Sequence, residues 1–197
     1  MSGSSPCSSG RQNHSVVFLD RDGTIIKDKH YLRDPENIEF YDGVFSSLQR
    51  LRQSGYQLIV VTNQSGVARG LMTEKDVRAV HDRLEERLSE KKIELLDIYY
   101  APYHPEADDP RYLKGKEYRK PRPGMLKQAG EDHGIDFSTS FMIGDKLSDI
   151  QAGKRAGCRT VLVRTGKGRK AVQSEQEIPA DYVASDFSKA VEWIFSN

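Results

Sequence analysis

Val16-Val17-Phe18-Leu19-Asp20-Arg21-Asp22-Gly23-Thr24 is the stretch on which the fold turns. Ser15 to Leu19 is too short for a helix, and its apolar residues are consecutive rather than alternating, which suits a strand buried on both faces. The run stops abruptly on two carboxylates and a guanidinium, side chains that a core does not accept unpaired. Parallel sheets bind their ligands beyond the carboxyl ends of the strands. The charges after Leu19 therefore mark both a strand end and a candidate site.

The same alternation continues outward from this stretch. Gly43 to Ser54 reads as a helix, with Val44, Leu48 and Leu51 on one face and Gly55 as its stop. Gln57 to Val61 is a second buried strand. Thr73, with Asp76 three residues on, opens a charged helix to about Lys91, and Ile93 to Tyr100 is a third strand. Pro123 to His133 is a helix, Ser140 to Ile143 a strand, Asp149 to Ala156 a helix ending at Gly157, and Arg159 to Val163 a strand. Tyr182 to Ala184 is a short last strand and Phe187 to Phe195 a closing helix, while Pro102 to Lys120 reads as a long ordered loop. Strands alternating with helices predict an α/β fold, a Rossmann-like three-layer parallel sheet with helices on both faces.

Composition excludes several classes. With 37% hydrophobic residues and a formal net charge of +1, the 197-residue chain can bury a core and is not globally disordered. No apolar run is long enough to span a membrane. The 30 basic and 29 acidic residues balance, so neither nucleic acid nor an anionic membrane is an expected partner. Cys7 and Cys158 support no disulfide framework and no thiolate zinc site, which points to a reducing cytoplasm. Met1 to Gly10 is Ser/Gly-rich with no apolar core or basic flank, hence not a secretory signal. Residues 1–13 are expected to be a flexible tail and 14–197 a single domain, working as a monomer.

Three strand ends carry an unusual selection of polar residues. Asp20, Arg21, Asp22, Gly23 and Thr24 follow the first strand. Thr62, Asn63, Gln64, Ser65 and Gly66 follow the second, and Gly144-Asp145-Lys146, with Asp149 further on, follows the fourth. An Asp pair after a strand can be a mere turn or helix cap. Convergence from three strand ends argues instead for a built site, and clustered carboxylates call for a divalent cation as counterion.

Asp20-Arg21-Asp22-Gly23-Thr24 resembles the first motif of the haloacid dehalogenase superfamily, Asp-x-Asp-Gly-Thr after an apolar strand. Thr62 resembles its second motif, Lys120 its third, and Gly144-Asp145 with Asp149 its fourth, all in the family's order. Thr62-Asn63-Gln64-Ser65-Gly66 and Arg119-Lys120-Pro121 narrow the resemblance to the branch of D,D-heptose 1,7-bisphosphate phosphatases and histidinol-phosphate phosphatases. Residues 23–61 leave no space for the large cap domain of many relatives.

The resemblance implies a Mg²⁺-dependent phosphatase acting on a small phosphorylated metabolite, with Asp20 as nucleophile and Asp22 as acid and base. Such a carboxylate can attack phosphorus in line and form an aspartyl-phosphate. Asp20, the carbonyl of Asp22 and Asp145 would hold Mg²⁺, with Lys146 and Asp149 in support. Thr62, Asn63, Gln64, Ser65 and Lys120 would hold the phosphoryl oxygens, and Asp28 and Tyr31 would line the substrate site by family position. Arg119 could grip a second, non-reacting phosphate with its planar fork. The leading substrate is D-glycero-D-manno-heptose 1,7-bisphosphate, losing its 7-phosphate. Histidinol phosphate is the alternative, and a non-catalytic phosphoryl- or metal-binding module is a reading of another class. A nucleic-acid end-processing phosphatase is disfavoured by the absence of a basic stripe.

One departure from the family is plain. Relatives in this branch often carry a zinc loop, whose ligand positions here read Ala101, Tyr103, Lys116 and Tyr118. None is a usual zinc ligand, so no structural zinc is expected and the loop must be held by packing and hydrogen bonds. His104 is read as a loop histidine packed among Tyr and Pro.

Overall fold

The structure, a computed structural model, describes residues 14–174 and 178–197; the expected tail, residues 1–13, lies outside them. Six strands form one parallel sheet: β1 Val16–Leu19, β2 Gln57–Asn63, β3 Asp97–Ala101, β4 Phe141–Gly144, β5 Arg159–Val163 and β6 Tyr182–Ala184. They lie in the order β3-β2-β1-β4-β5-β6. The helices are α1 Val44–Gln53, α2 Glu74–Ser89, α3 Gly124–His133, α4 Leu147–Ala156, α5 Gly168–Ser174 and α6 Phe187–Phe195.

β1 shows why its sequence is apolar without alternation. Val17 and Leu19 pack with Leu58, Leu48, Leu84 and Phe187 on one face of the sheet. Val16 and Phe18 pack with Ile59, Met125, Leu126 and Ala152 on the other. Both faces of the strand are covered by helices, so every residue must be apolar. The strand order runs outward in both directions from the β1–β4 pair, and such a reversal opens a crevice at the strand ends. Asp20 follows β1 and Asp145 follows β4, so the crevice lies between two carboxylates.

The expected helices and strands are present, with local differences. Thr73 caps α2 through a reciprocal pair with Asp76, as the sequence predicted. β3 begins at Asp97 rather than Ile93. Lys92 has φ 57°, and buried Ile93 closes the preceding turn into the core before the chain can join the sheet. α4 begins at Leu147, placing Asp149 inside its first turn, where its side chain accepts the backbone N–H of Lys146. α5 was not expected at all, because Gly168-Arg169-Lys170-Ala171-Val172-Gln173-Ser174 carries no apolar stripe. The 102–120 loop holds one 3₁₀ turn, Pro110–Tyr112. The stretch from Asp20 to β2 contains α1 and a 3₁₀ turn at Pro35–Asn37 but no inserted cap domain. Among the described residues no helix is long and apolar enough to cross a membrane.

Candidate active site

Asp20 leaves β1 tied to β4, its backbone N–H donating to the Ile143 carbonyl at 2.9 Å. Its carboxylate sits between two ammonium groups. Lys120 Nζ donates to Oδ1 at 2.8 Å and Lys146 Nζ to Oδ2 at 3.1 Å. Burial alone would raise the Asp20 pKa, but the two lysines outweigh it and hold the carboxyl well below the usual carboxylate range. Lys120 is itself buried, and also touches Asp149 Oδ1 at 2.8 Å and donates to the Val61 carbonyl at 2.6 Å. Desolvation works against its charge, yet Asp149 and Asp20 push its pKa up.

Asp145 completes the acidic floor. Fully buried, it is pushed up to about 7 by desolvation, with Asp20 and Asp149 adding to the rise and Lys146 opposing it. Its Oδ2 accepts the backbone N–H of Lys167 at 2.7 Å. Gly23 makes this close approach possible: at φ 91°, a Cβ there would lie 2.2 Å from Asp145 Oδ2. Asp20, Asp145 and Asp149 are a grouping able to hold a metal ion among the described residues.

Two lysines also face the acidic cluster. Lys146 Nζ lies 3.1 Å from Asp20 Oδ2, 3.1 Å from the Asp22 carbonyl and 2.8 Å from Asp145 Oδ1. These oxygens belong to the three groups that the family resemblance assigns to Mg²⁺. Hard oxygens that already surround one positive charge suit Mg²⁺, which takes carboxylate and carbonyl ligands. Asp149, engaged by Lys120 and by the Lys146 backbone, buttresses the set.

Asp22 stands at the edge of the cleft, its side chain partly exposed. Gln64 Nε2 donates to Asp22 Oδ2 at 2.9 Å and to Thr62 Oγ1 at 2.8 Å, linking the ends of β1 and β2. Asn63 ties the loop to β2. Its amide nitrogen donates to the Lys120 carbonyl at 3.0 Å and its oxygen accepts the Lys120 N–H at 3.1 Å. The side chain expected on a phosphoryl oxygen thus also clamps the Lys120 backbone.

A cleft of about 250 Å³ brings most of the expected residues together: Asp20, Asp22, Asp28, Tyr31, Thr62, Asn63, Gln64, Ser65, Arg119, Lys120, Lys146 and Asp149 line it, while Asp145 lines the adjoining cavity instead. Arg119 hangs from the loop with Nη1 on the Tyr103 carbonyl at 3.4 Å, its pKa lowered by burial and by nearby Arg69. Tyr31 is exposed at the rim with φ 51°. Asp28 Oδ1 accepts the His30 N–H at 3.0 Å. His30 and Lys167 also line the cleft but were missed from the sequence. Lys167 was accessible in principle, because it follows β5, another strand ending on the same rim. A second cavity of about 670 Å³ continues past Lys146 and Lys167 to α5.

The loop bearing Arg119 is held without any of the four family zinc ligands. The Tyr103 and Tyr118 rings pack with centroids 6.4 Å apart, and Glu74 accepts hydrogen bonds from the Tyr100 and Tyr112 hydroxyls at 3.0 and 2.9 Å. His104 is not simply packed among Tyr and Pro. Its Nε2 lies 2.8 Å from Arg69 Nη2, and its Nδ1 accepts the Glu106 N–H at 3.2 Å.

The chain is similar to known proteins over most of its length. The family model described as HAD-hydrolase-like matches residues 117–190. The D-glycero-beta-D-manno-heptose-1,7-bisphosphate 7-phosphatase of Photorhabdus laumondii is 42% identical over 93% of this chain and 98% of its own length. The protein of the same name from Escherichia coli K12 is 42% identical, covering 88% of this chain and 90% of that one. Among solved structures, a D,D-heptose 1,7-bisphosphate phosphatase from B. bronchiseptica, complexed with magnesium and phosphate, superposes with a TM-score of 0.82 at 30% identity. That match covers 92% of this chain and 98% of the other.

Proposed function

Because the chain belongs to the heptose bisphosphate phosphatase branch of the haloacid dehalogenase-like hydrolases, we propose that it removes the 7-phosphate of D-glycero-D-manno-heptose 1,7-bisphosphate. The observation that carries this reading is Asp20, a carboxylate kept ionised by two ammonium groups at the floor of the cleft, with the donor-held carboxyl of Asp22 beside it.

Asp20 attacks phosphorus, the bond to the leaving sugar oxygen breaks, and Asp22 donates its proton to that oxygen. A water molecule then attacks the aspartyl-phosphate, gives a proton to Asp22, and phosphate leaves Asp20 as a free carboxylate. Thr62, Ser65, Gln64 and the Lys120 ammonium orient the transferring group. Arg119, at the cleft wall, grips the second phosphate, with Asp28 and Tyr31 at the sugar. Asp20, Asp145 and the Asp22 carbonyl would hold Mg²⁺, with Lys146 and Asp149 in support. When bound, the ion neutralises phosphoryl charge that would otherwise repel the carboxylate nucleophile.

The same reading makes residues 14–197 one domain, a cytoplasmic monomer with no structural zinc and with neither nucleic acid nor membrane as partner. A phosphate-release screen over sugar phosphates, sugar bisphosphates and histidinol phosphate, with Mg²⁺ and with EDTA, tests it. The heptose bisphosphate should be turned over best. Preference for histidinol phosphate would replace the substrate, and no Mg²⁺-dependent release from any of them would sink the enzymatic reading.

A further inference from the structure

Beneath the cleft the chain buries an arginine that the steps above do not use. Arg21 is fully sealed from solvent, a costly place for a permanent charge unless it is paired. Among the described residues its guanidinium meets a single carboxylate, that of Asp22. Nε donates to Asp22 Oδ2 at 3.1 Å, and Nη2 lies 3.0 Å from Oδ2 and donates to Oδ1 at 3.3 Å. With Gln64 also donating to Oδ2 at 2.9 Å, that oxygen takes the close donors while Oδ1 keeps one long bond.

The turn does not need this side chain to close. The Arg21 carbonyl already accepts the backbone N–H groups of Thr24, Ile25 and Ile26. Nor is the guanidinium shared elsewhere, since Nη1 has no hydrogen-bond partner among the described residues. Behind it lies His81 of α2, whose pKa is pushed down to about 3 by burial and by the Arg21 charge. His81 is therefore neutral near pH 7 and adds no opposing charge. Among the described residues, Asp22 is the one group that the guanidinium engages.

From this geometry we infer that Arg21 is a positioning residue for the acid–base step: with Gln64 it fixes Asp22 Oδ2 and leaves Oδ1 to carry the proton. The inference rests on the reading of Asp22 given under Proposed function. As the Asp20–phosphorus bond forms and the bond to the leaving oxygen breaks, the Oδ1 proton passes to that oxygen. As water attacks the aspartyl-phosphate, its proton returns to Oδ1 and Asp20 is freed. A carboxyl able to rotate would be aligned for only part of the time. A planar guanidinium fork, reaching Oδ2 through both Nε and Nη2, fixes the orientation of the carboxyl group, whereas a lysine offers only a point charge.

Arg21→Lys tests this, because it keeps the charge and loses the fork. The comparison is kcat/KM on a sugar phosphate, whose alkoxide leaving group needs a proton, against 4-nitrophenyl phosphate, whose phenolate does not. The expected loss is about 100-fold on the sugar phosphate and less than about tenfold on the aryl ester, with circular dichroism unchanged. Equal losses on the two would assign Arg21 to the structure of the turn and overturn the inference. If Arg21→Lys does not fold, a crystal structure of the wild type with Mg²⁺ and aluminium fluoride decides. Oδ1 should face the axial ligand opposite Asp20 while Oδ2 stays on Arg21. Asp22 released from Arg21, or presenting Oδ2 instead, overturns the inference. Wild-type protein that releases no phosphate with Mg²⁺ would overturn the reading of the whole site, a distinct result.

Discussion

Lys120 Nζ lies 2.8 Å from Asp20 Oδ1, and both side chains are sealed from solvent. Residues a hundred positions apart thus form one buried ion pair, extended by Asp149 on the other side of the ammonium. Breaking such a pair leaves an uncompensated charge in the interior. Lys120→Met should cost about 3–5 kcal/mol of stability and abolish phosphate release. Urea denaturation measures the first effect. A midpoint equal to that of the wild type would show that the pair contributes nothing to the fold.

Asp20→Asn keeps the shape of the side chain and removes the anionic nucleophile. The variant should fold and release phosphate only at assay background. Asp22→Asn should likewise fold and lose acid–base function. Near-normal turnover by folded Asp20→Asn would exclude covalent catalysis at this carboxylate.

Arg119→Ala should discriminate between substrates. Losing one charge-assisted grip on a phosphate costs about 1.5–3 kcal/mol, or ~10- to 150-fold in kcat/KM. That loss is expected on a sugar bisphosphate, with a much smaller one on a simple aryl phosphate. Equal losses would move Arg119 to the transferring phosphoryl group or to the integrity of the loop.

The buried His81 makes stability sensitive to acid. Its folded pKa lies near 3 against an ordinary 6.5, so below pH 6.5 the unfolded chain takes up a proton that the folded state refuses. Stability should therefore fall by about 1.4 kcal/mol for each pH unit between about 6.5 and 3, and gain nothing from this group above 6.5. His81→Leu should flatten that slope in denaturation curves taken from pH 7 to pH 5. An unchanged slope would place the acid sensitivity elsewhere.

Metal should be required for the reaction and not for the fold. Dialysis against EDTA is expected to abolish phosphate release, Mg²⁺ to restore it, and circular dichroism to stay constant throughout. Elemental analysis of protein purified without chelator should find no stoichiometric zinc, because Ala101, Tyr103, Lys116 and Tyr118 offer none of its usual ligands. Zinc retained through dialysis, with unfolding on its removal, would refute this.

Strands such as Val16–Leu19 were legible because burial on both faces writes a continuous apolar run into the chain. Helix ends were legible where the stop is chemical, as at Thr73 with Asp76 or at Gly157. α5 was not, because seven residues with little apolar content carry no period to read. The late start of β3 was hidden for the opposite reason: Ile93 is apolar like a strand residue, yet it serves the core from a turn.

By itself the sequence determined the layered α/β architecture, the strand ends that carry the site, and the residue types gathered there. These follow from local periodicity and from which side chains tolerate burial. Which atoms meet was decided only by tertiary structure. Strand order sets Asp20 beside Asp145, and the 102–120 loop carries Lys120 back to them. The fold also turned Asn63 onto the Lys120 backbone, set Lys146 among three oxygens, and buried Arg21 against Asp22. Such pairings depend on distances between segments far apart in the chain, and no local pattern encodes those distances.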